Sequence, residues 1–479
     1  MNLQQFFSEQ GYDISEKLNW EKYIDIWESW YKGKVRKFHN YYIYNGQCKV
    51  KMEKKSMQGA KKVSEDWADL LFNDKVTINL KNDIDTKALN KILQKNNSKV
   101  IINQGLEKSF AIGTGALIVS VQDIEQEENI LDVTNARIKL EFVECKKIVP
   151  LTWENKKISE CAFVTTKYKK GQMYIYIAMH VLNKDGNYVI KNYMFKGKYN
   201  SFVEVSEEEK EGFIDEFNTK SNIPWFTIIT PNICNNIDSE TPFGLSIYAN
   251  AIDTLMSLDN AYDGLDNEVI IGRRRTFVAE EMMTFDSGEQ KMVFDPNDIS
   301  VYRMPKGFTK DSMIEHDDAN LRTEQYINTV NYQLNILSSK VGFGQERYKF
   351  DGQAIQTATG VISENSDMFR TIKKHEQVLR DSLITIIKAI AYASSTFTST
   401  IIDATEVTID FDDSIIEDKG AEQVRAMQEV SQGLRSKQSY MEKYRNLNKQ
   451  QAQEELDTIQ QEKMSNQEAF GFNENINEE

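Results

Sequence analysis

The stretch from Thr241 to Phe277 constrains the fold most, because it has the pattern of one long amphipathic helix that stops at three consecutive arginines. Thr241 suits the N-cap, Pro242 the first helical position and Gly272 the end. About thirty residues at ~1.5 Å each predict a rod of roughly 45 Å. Apolar residues recur every three or four positions along it, at Leu245, Tyr248, Ile252, Leu255, Leu258, Tyr262, Leu265 and Val269.

A second rod is predicted after a short insert with mixed strand and turn signals, from Thr276 to about Lys310. Its apolar positions have heptad-like spacing up to Gly342 and are Ile327, Val330, Leu334, Leu337 and Val341. Rods joined by a short connection favour antiparallel packing. A third helical pattern runs from Ile355 to Ile390, and Gly360 near its start predicts a kink.

The rest of the chain predicts a mixed α+β protein. Helices are expected over 16–31 and 57–72, followed by an alternating strand from Val76 to Leu80. A short strand from Glu406 to Phe411 and a helical C-terminal module are expected after the third rod. A largely antiparallel sheet, with a hairpin turn at Asp185-Gly186, is predicted from strands at Leu117 to Val121, Ala136 to Val143, Cys161 to Lys167, Met173 to Met179 and Tyr188 to Met194.

The net charge of −15 argues against a protein that grips nucleic acid tightly, because such affinity comes from neutralising phosphates. An acidic protein can still surround DNA without holding it. The four cysteines show no CxxC spacing, which favours reduced, structural thiols. No signal peptide and no membrane-spanning run is visible, so we expect no membrane partner.

No catalytic constellation is present, and we assign no catalytic, cofactor-binding or metal-binding residue. The GTG at Gly113 to Gly115 lacks a third glycine and a following helix, which favours a tight turn over a phosphate loop. The basic and aromatic segment from Lys32 to Gly46 is either a nucleic-acid surface or an exposed turn leading into a half-buried strand. We favour the exposed turn, because the segment is short and the chain is acidic.

Three charged groups each have two interpretations. The first group, Asp259, Asp263 and Asp266, shares one stripe of the first rod. These residues either line an acidic channel or form a solvated face of the helix. The second group is a run of arginines, Arg273, Arg274 and Arg275, which either offsets the helix dipole or contacts an acidic partner or phosphates. The third group lies at a strand end and consists of Asp410, Asp412 and Asp413. These carboxylates either bind a divalent cation or form a capping turn, and we favour the capping turn.

A glycine-punctuated loop, GFGQERYKFDGQA, covers 342–354 and concentrates charged and aromatic residues. Eight of its residues carry charged, polar or aromatic side chains and are candidate functional residues, and they are Phe343, Gln345, Glu346, Arg347, Tyr348, Lys349, Phe350 and Asp351.

The succession of these parts resembles the portal proteins of tailed bacteriophages with long non-contractile tails. SEDWADLLFND followed by VTINL, from Ser64 to Leu80, is similar to the family's N-terminal wing motif. The two rods resemble its stem helices, and GFGQERYKFDG occupies the position of its tunnel loop. The segment beginning VTIDFDDSIIEDKGAEQVRAM resembles the start of the family's C-terminal crown.

The resemblance implies a portal-type ring subunit with seven parts. They are a mixed α/β wing (1–240), a first stem helix (241–275), a clip (276–312), a second stem helix (313–341), a tunnel loop (342–354), a long kinked helix with wing return (355–411) and a helical crown with a flexible tail (412–479). Stem and clip contacts would involve Arg273, Arg274 and Arg275, and the loop residues would face the channel.

The resemblance further implies a closed ring, usually of twelve copies, at one capsid vertex of a virion that is assembled in the bacterial cytoplasm. Double-stranded DNA would pass through its channel during packaging and ejection. The implied partners are the terminase large subunit, the major capsid and scaffolding proteins and a head-tail adaptor. The alternatives are another minor head protein, or a metal-dependent nuclease using Asp410, Asp412 and Asp413.

Overall fold

The structure is a computed structural model, and the fold is mixed α and β, as the sequence predicts. The contacts divide the chain into two units, residues 1–354 with 366–412, and 355–365 with 413–479. The residues that the structure describes are 1–44, 46–122, 125–127, 130–132, 135–198, 201–210, 213–272, 275–286, 288, 291–294, 301–304, 314–317, 320–344, 347–348, 366–398, 400–411, 419–445 and 451–461.

The described part of the first unit contains nine α-helices. They are α1 (Leu3–Glu9), α2 (Ser15–Tyr31), α3 (Arg36–His39), α4 (Gly59–Leu71), α5 (Asp83–Lys95), α6 (Ser98–Ile112), α7 (Ile252–Ile271), α8 (Thr323–Lys340) and α9 (Ser366–Phe397). α2 and α4 confirm the predicted helices over 16–31 and 57–72. Their indole side chains at Trp27 and Trp67 are almost wholly buried, as helices with one apolar face require.

Twenty strands lie in the same described part. They are β1 (Asn40–Tyr44), β2 (Lys49–Glu53), β3 (Thr77–Leu80), β4 (Gly115–Gln122), β5 (Glu125–Glu127), β6 (Ile130–Asp132), β7 (Arg137–Glu144), β8 (Ile148–Glu154), β9 (Lys157–Lys169), β10 (Gln172–Leu182), β11 (Tyr188–Lys198), β12 (Ser201–Glu204), β13 (Glu216–Asn218), β14 (Phe226–Ile229), β15 (Arg275–Ala279), β16 (Thr284–Asp286), β17 (Lys291–Val293), β18 (Val301–Met304), β19 (Ile314–Asp317) and β20 (Val407–Asp410).

The largest sheet is antiparallel, in the order β12-β11-β10-β9-β8, with β13 paired to β11. Its β10–β11 hairpin turns at Asp185-Gly186, where Gly186 has a φ of +80° that suits glycine. A second sheet has the order β14-β4-β7, and Gly113 ends α6 just before β4 with a φ of +87°. The predicted strands and the tight turn at the GTG are confirmed. The strands predicted for one antiparallel sheet divide between two, because β9, β10 and β11 belong to the first sheet and β4 and β7 to the second.

The main core of the first unit lies on the large sheet. Phe6 and Phe7 of α1 pack there against apolar side chains that include Phe195 and Phe202. A smaller cluster joins the other part of that sheet to β4 and β14, and it contains Phe163 and Phe226. Alternating apolar residues on each strand supply both clusters, because successive side chains point to opposite faces of a sheet.

The segment between α7 and α8 forms a small strand module. β15 pairs in parallel with β18 and antiparallel with β19, while β16 and β17 form a separate antiparallel pair. The mixed strand and turn signals of this insert are thereby confirmed in its described residues.

α9 is the longest described helix, with 32 residues and a length of roughly 48 Å. It confirms the third helical pattern from Ser366 onward, and its buried stripe includes Ile372, Leu383 and Ile390. The start of that pattern, with Gly360 and the predicted kink, lies outside the described residues. After α9, β20 pairs with β3, which joins the two ends of the first unit.

The predicted start of the first rod is wrong, because α7 begins at Ile252 and not at Thr241. The backbone before α7 forms hydrogen bonds with other parts of the chain. Gly244 N donates to Thr114 Oγ1 at 2.9 Å, and Ile247 N donates to Phe110 O at 2.9 Å. These bonds hold the segment against the corner between α6 and β4, so the amides of Gly244 and Ile247 cannot form helical bonds. The rod has 20 residues, or roughly 30 Å.

The sequence patterns did not identify α5 and α6. α5 buries only Leu89 and Leu93, so its apolar stripe is too sparse to stand out. α6 lies beside the strand-rich region and packs against both α4 and β7.

The second unit is helical in its described residues. It contains α10 (Lys419–Ser431), α11 (Lys437–Arg445) and a further helical stretch over 451–461. The predicted helical C-terminal module is confirmed there, whereas the predicted flexible tail lies outside the described residues.

Candidate channel loop and helical stem

α7 and α8 are antiparallel neighbours, as their short connection predicts. The last turn of α7 lies beside the first turn of α8, where Glu268 Oε2 accepts from Arg322 Nη2 at 2.8 Å and Oε1 accepts from Nε at 3.1 Å. These bonds lower the pKa of Glu268 and raise that of Arg322. One turn earlier, a Cβ at Gly264 would lie 2.6 Å from Tyr326 Cε1, so glycine lets the tyrosine ring pack directly on α7.

The acidic stripe of α7 binds another segment of the same chain. Asp259 is 2% exposed; its Oδ2 lies 3.0 Å from His39 Nε2, and its Oδ1 accepts from Met57 N at 2.8 Å. Asp263 accepts from the backbone N of Lys55 at 3.1 Å, and Asp266 pairs with the Lys55 ammonium at 2.6 Å. Neither interpretation of the stripe holds for Asp259, which is buried against residues 39 and 57. Asp263 and Asp266 are half-buried, and their place in a channel wall stays a prediction.

The loop that follows α8 is fixed at its base by α4. Trp67 Nε1 donates to Val341 O at 3.0 Å, and the indole stacks on the Phe343 ring at 4.5 Å between centroids and 14° between planes. Gly342 between them has a φ of +89°, and a Cβ there would meet Thr371 Cγ2 of α9 at 2.8 Å. The chain can therefore leave α8 in this direction only with glycine at 342.

A buried histidine of α9 completes this base. His375 contacts the rings of Trp67 and Phe110 edge-on, at 4.9 and 5.1 Å between centroids. Its Nδ1 accepts from Asn232 N at 3.0 Å, and Asn232 Nδ2 donates to Lys374 O at 2.6 Å. Burial lowers the pKa of His375 to about 3, so the imidazole is neutral near pH 7.

The predicted loop contacts separate into two kinds where the structure describes them. Phe343 is 1% exposed and belongs to the core, so its assignment as a channel contact is wrong. Arg347 is exposed, with its guanidinium carbon 5.9 Å from the centre of the Phe343 ring. Burial and the negative charge of Asp66, a residue of α4, raise the pKa of Tyr348. The Tyr348 phenol is therefore uncharged near pH 7.

The other predicted loop residues lie outside the described ranges. They are Gln345, Glu346, Lys349, Phe350 and Asp351.

The arginine run is only partly described. Arg273 and Arg274 lie outside the described residues. Arg275 is the first residue of β15 and is in register with Asp317 of β19, so its placement at the end of a helix is wrong.

Only one of the three candidate metal ligands is described. Asp410 ends β20, and its Oδ2 accepts from Asn79 Nδ2 at 3.2 Å, while Asp412 and Asp413 lie outside the described residues. Among the residues that are described, no group of three or more His, Cys, Asp or Glu side chains is placed to hold a metal ion. In the same part of the chain, no helix has the length and apolar character needed to cross a bilayer.

The basic segment after α2 forms an exposed hairpin. α3 leads into β1, which pairs with β2 from Asn40↔Glu53 to Tyr44↔Lys49. The predicted strand is confirmed in the described residues, but it is mostly exposed and not half-buried, because the hairpin stands alone as a two-stranded sheet.

Sequence reasoning missed the partners that build the base of the loop. The sequence predicts the helix over 57–72, but no local signal indicates that its Trp67 meets Phe343, 276 positions later in the chain. No local pattern singles out His39 or His375 either, because their partners Asp259 and Asn232 are also distant in sequence.

Two of three comparisons with known proteins give matches to this chain. The sequence model of the family described as "Phage portal protein, SPP1 Gp6-like" matches residues 13–469. A comparison with curated proteins gives no match. One similar solved structure is titled "Neck of native GTA particle computed with C12 symmetry", with 9% identity, coverage of 80% of this chain and 87% of that chain, and a TM-score of 0.37. Another is titled "Neck of empty GTA particle computed with C6 symmetry", with 10% identity, the same coverages and a TM-score of 0.37.

Proposed function

Because this chain belongs to the SPP1 Gp6-like phage portal protein family, we propose that about twelve copies form a closed ring at one capsid vertex. Double-stranded DNA passes through this ring during packaging and ejection. The observation that carries the proposal is the family match over residues 13–469, which includes α7, α8 and the loop between α8 and α9. The family is one of structural proteins, and we propose that the chain performs no catalysis of its own.

We assign the described elements to the parts that the resemblance implies, with the first stem helix beginning at Ile252 and the second at Thr323, after β19. α1 to α6 and the two larger sheets make the wing within 1–240, and α7 and α8 make the stem. The module from β15 to β19 takes the position of the clip, and α9 supports the tunnel loop. α10 and α11 belong to the crown.

The net charge of −15 supports a channel that conducts DNA without retaining it. Affinity for a duplex rises with each phosphate that a basic residue neutralises, so a channel rich in cations would hold its cargo. A few basic residues at the narrowest point make short-lived contacts. Arg347 is the best described of these, because it is exposed and follows a base that is fixed by Trp67 and Phe343.

The proposed partners follow from the family. During packaging the ring docks the terminase large subunit, whose ATPase supplies the energy of translocation, and it contacts the major capsid and scaffolding proteins. After packaging it binds a head-tail adaptor. We assign Arg273, Arg274 and Arg275 to contacts of the stem and clip, and the protein is a component of the virion.

Electron microscopy of the purified full-length chain tests the ring. Closed rings with a central hole wide enough for a duplex are expected. A protein that stays monomeric over a wide range of concentration and salt contradicts the proposal, and particles without a hole favour another minor head protein.

A packaging assay with terminase tests the loop. Arg347→Gln is expected to change the amount of packaged DNA several-fold while closed rings remain. Lys169→Gln, which removes one exposed positive charge from β9, is the matched control and should leave packaging unchanged. Equal packaging by both variants contradicts the role of Arg347.

A further inference from the structure

The β1–β2 hairpin has two different faces, and both are exposed. Directly opposed residues of an antiparallel pair share a face, so the pairs Tyr41↔Met52 and Ile43↔Val50 make one apolar face. Ile43 is 45% exposed and Val50 is 37% exposed. An isolated two-stranded sheet is marginally stable in water, and an uncovered apolar face on it indicates a binding surface.

The other face of the hairpin is aromatic and basic. The pairs Tyr42↔Lys51 and Tyr44↔Lys49 form it, and both tyrosines are about two-thirds exposed, at 67% and 66%. Residues 32–55 contain eight lysines and arginines against one glutamate, so the rest of each copy is more acidic than the net charge of −15. The surface of a second copy therefore attracts this hairpin electrostatically.

The hairpin is held in a fixed position on α7. Besides the bonds to Asp259 and Asp263, the ammonium of Lys54, directly after β2, donates to Asn260 Oδ1 at 2.7 Å. Anchored on a helix at both ends, the hairpin presents its apolar face in one direction and loses little conformational freedom on binding.

α8 and the hairpin lie on opposite flanks of α7. Asp259 and Asp263 hold the hairpin segment, whereas Gly264 and Glu268 contact α8. Gly264 and Glu268 each follow one of these aspartates by five positions, which is a rotation of ~140° around the helix. A closed ring of identical copies joins two different surfaces, one on each side of the subunit. The hairpin flank of one copy then meets the α8 flank of the next.

The free face of α8 suits the hairpin. Glu324, Asn328 and Tyr332 are all exposed and recur every fourth position, so they form one stripe. Tyr332 is 64% exposed, while Leu334, which points into the subunit, is 6% exposed. The stripe offers the aromatic ring of Tyr332 to the apolar face of the hairpin.

We propose that the β1–β2 hairpin packs its apolar face on the Glu324–Asn328–Tyr332 stripe of α8 in the neighbouring copy. The inference rests on the proposed ring and names the contact that closes it.

A pair of lysine substitutions tests the contact. Ile43→Lys and Tyr332→Lys are each expected to lower the fraction of chains in closed rings at least tenfold at a fixed protein concentration. Tyr168→Lys, at a tyrosine of β9 that is 76% exposed, is the control and should leave the fraction unchanged. Thermal unfolding of the separated monomers checks that each variant still folds.

Cross-linking locates the contact independently of stability. In a background with Cys48→Ser and Cys234→Ser, Ile43→Cys combined with Tyr332→Cys should give a ladder of covalent multimers with a short bismaleimide. Ile43→Cys combined with Tyr168→Cys is the matched control and should give none.

The outcomes separate this inference from the proposed function. If wild-type chains form no rings, the proposed function fails. If they form rings that tolerate Ile43→Lys and give no ladder, the ring stands and the hairpin contact is overturned. If those rings form normally but retain less DNA, the hairpin contacts DNA, which also overturns the proposed contact.

Discussion

The stack of Trp67 on Phe343 gives the sharpest prediction, because it fixes the base of the loop. Trp67→Phe keeps an aromatic ring but removes the donor to Val341 O. A buried carbonyl left without a partner costs about 1–3 kcal/mol, so the free energy of unfolding should fall by about 2 kcal/mol. Phe343→Ala removes a side chain that is 1% exposed, and its cost should be about 3–5 kcal/mol.

The double variant measures what the indole contributes to the stack beyond a phenyl ring. Aromatic pairs in contact contribute about 0.5–1.5 kcal/mol beyond the area they bury. The loss in Trp67→Phe with Phe343→Ala should therefore be smaller than the two single losses combined, by up to this amount, because the phenyl ring of Trp67→Phe keeps part of the contact. Urea denaturation followed by far-UV circular dichroism measures all three, since it does not depend on the fluorescence of Trp67.

A matched core variant shows whether the effect is local. Phe6→Ala removes the same side chain from the large sheet, where Phe6 is 3% exposed, and should cost a similar free energy without coupling to Trp67. Tryptic cleavage at Arg347 in the folded protein should be about tenfold faster in Phe343→Ala than in Phe6→Ala, because only the former releases the loop. Additive losses, or equal cleavage rates, would refute the reasoning.

Three further predictions concern the stem and its supports. Gly264→Ala should separate α7 from α8 and lower the melting temperature measurably, since its Cβ would lie 2.6 Å from Tyr326; an unchanged melting temperature contradicts the close packing. Leu334→Asp should abolish closed rings by placing a carboxylate at a site that is 6% exposed, and normal rings in electron micrographs would show that α8 is misassigned. The pKa of His375 is lowered from 6.5 to about 3 in the folded state, so its contribution to stability is complete above pH 6.5 and is lost as the pH falls toward 3. Urea denaturation at about pH 7 and pH 5 should show a loss that is smaller in His375→Gln, and equal losses in both proteins would contradict this.

The assignment of the loop depends on distinguishing its base from its exposed part. Charge and aromatic content in 342–354 marked the segment, yet they could not separate Phe343 from Arg347. The first is buried against Trp67 and the second is exposed. A short segment of mixed composition has no periodicity, so the burial of each side chain depends on the distant helices that approach it.

The acidic stripe of α7 shows the same limit. Its spacing correctly placed Asp259, Asp263 and Asp266 on one face, because 3.6 residues make a turn. What covers that face is the segment at residues 39 and 55–57, about 200 positions earlier in the chain. The fold brings together partners this far apart in sequence, so the spacing alone left the stripe with two interpretations and could not show that Asp259 is buried.

The sequence by itself determined the helices with strong apolar stripes, the alternating strands, the antiparallel rods and the family. These follow from local periodicity, which reports the side of each element that is buried, and from the order of the parts along the chain. Tertiary structure alone decided where α7 begins, since the amides of Gly244 and Ile247 donate to the α6–β4 corner and not within a helix. It also decided that Phe343 is buried at the base of the loop. Burial of a side chain depends on its neighbours in space, and the elements around this base are α4 and α9.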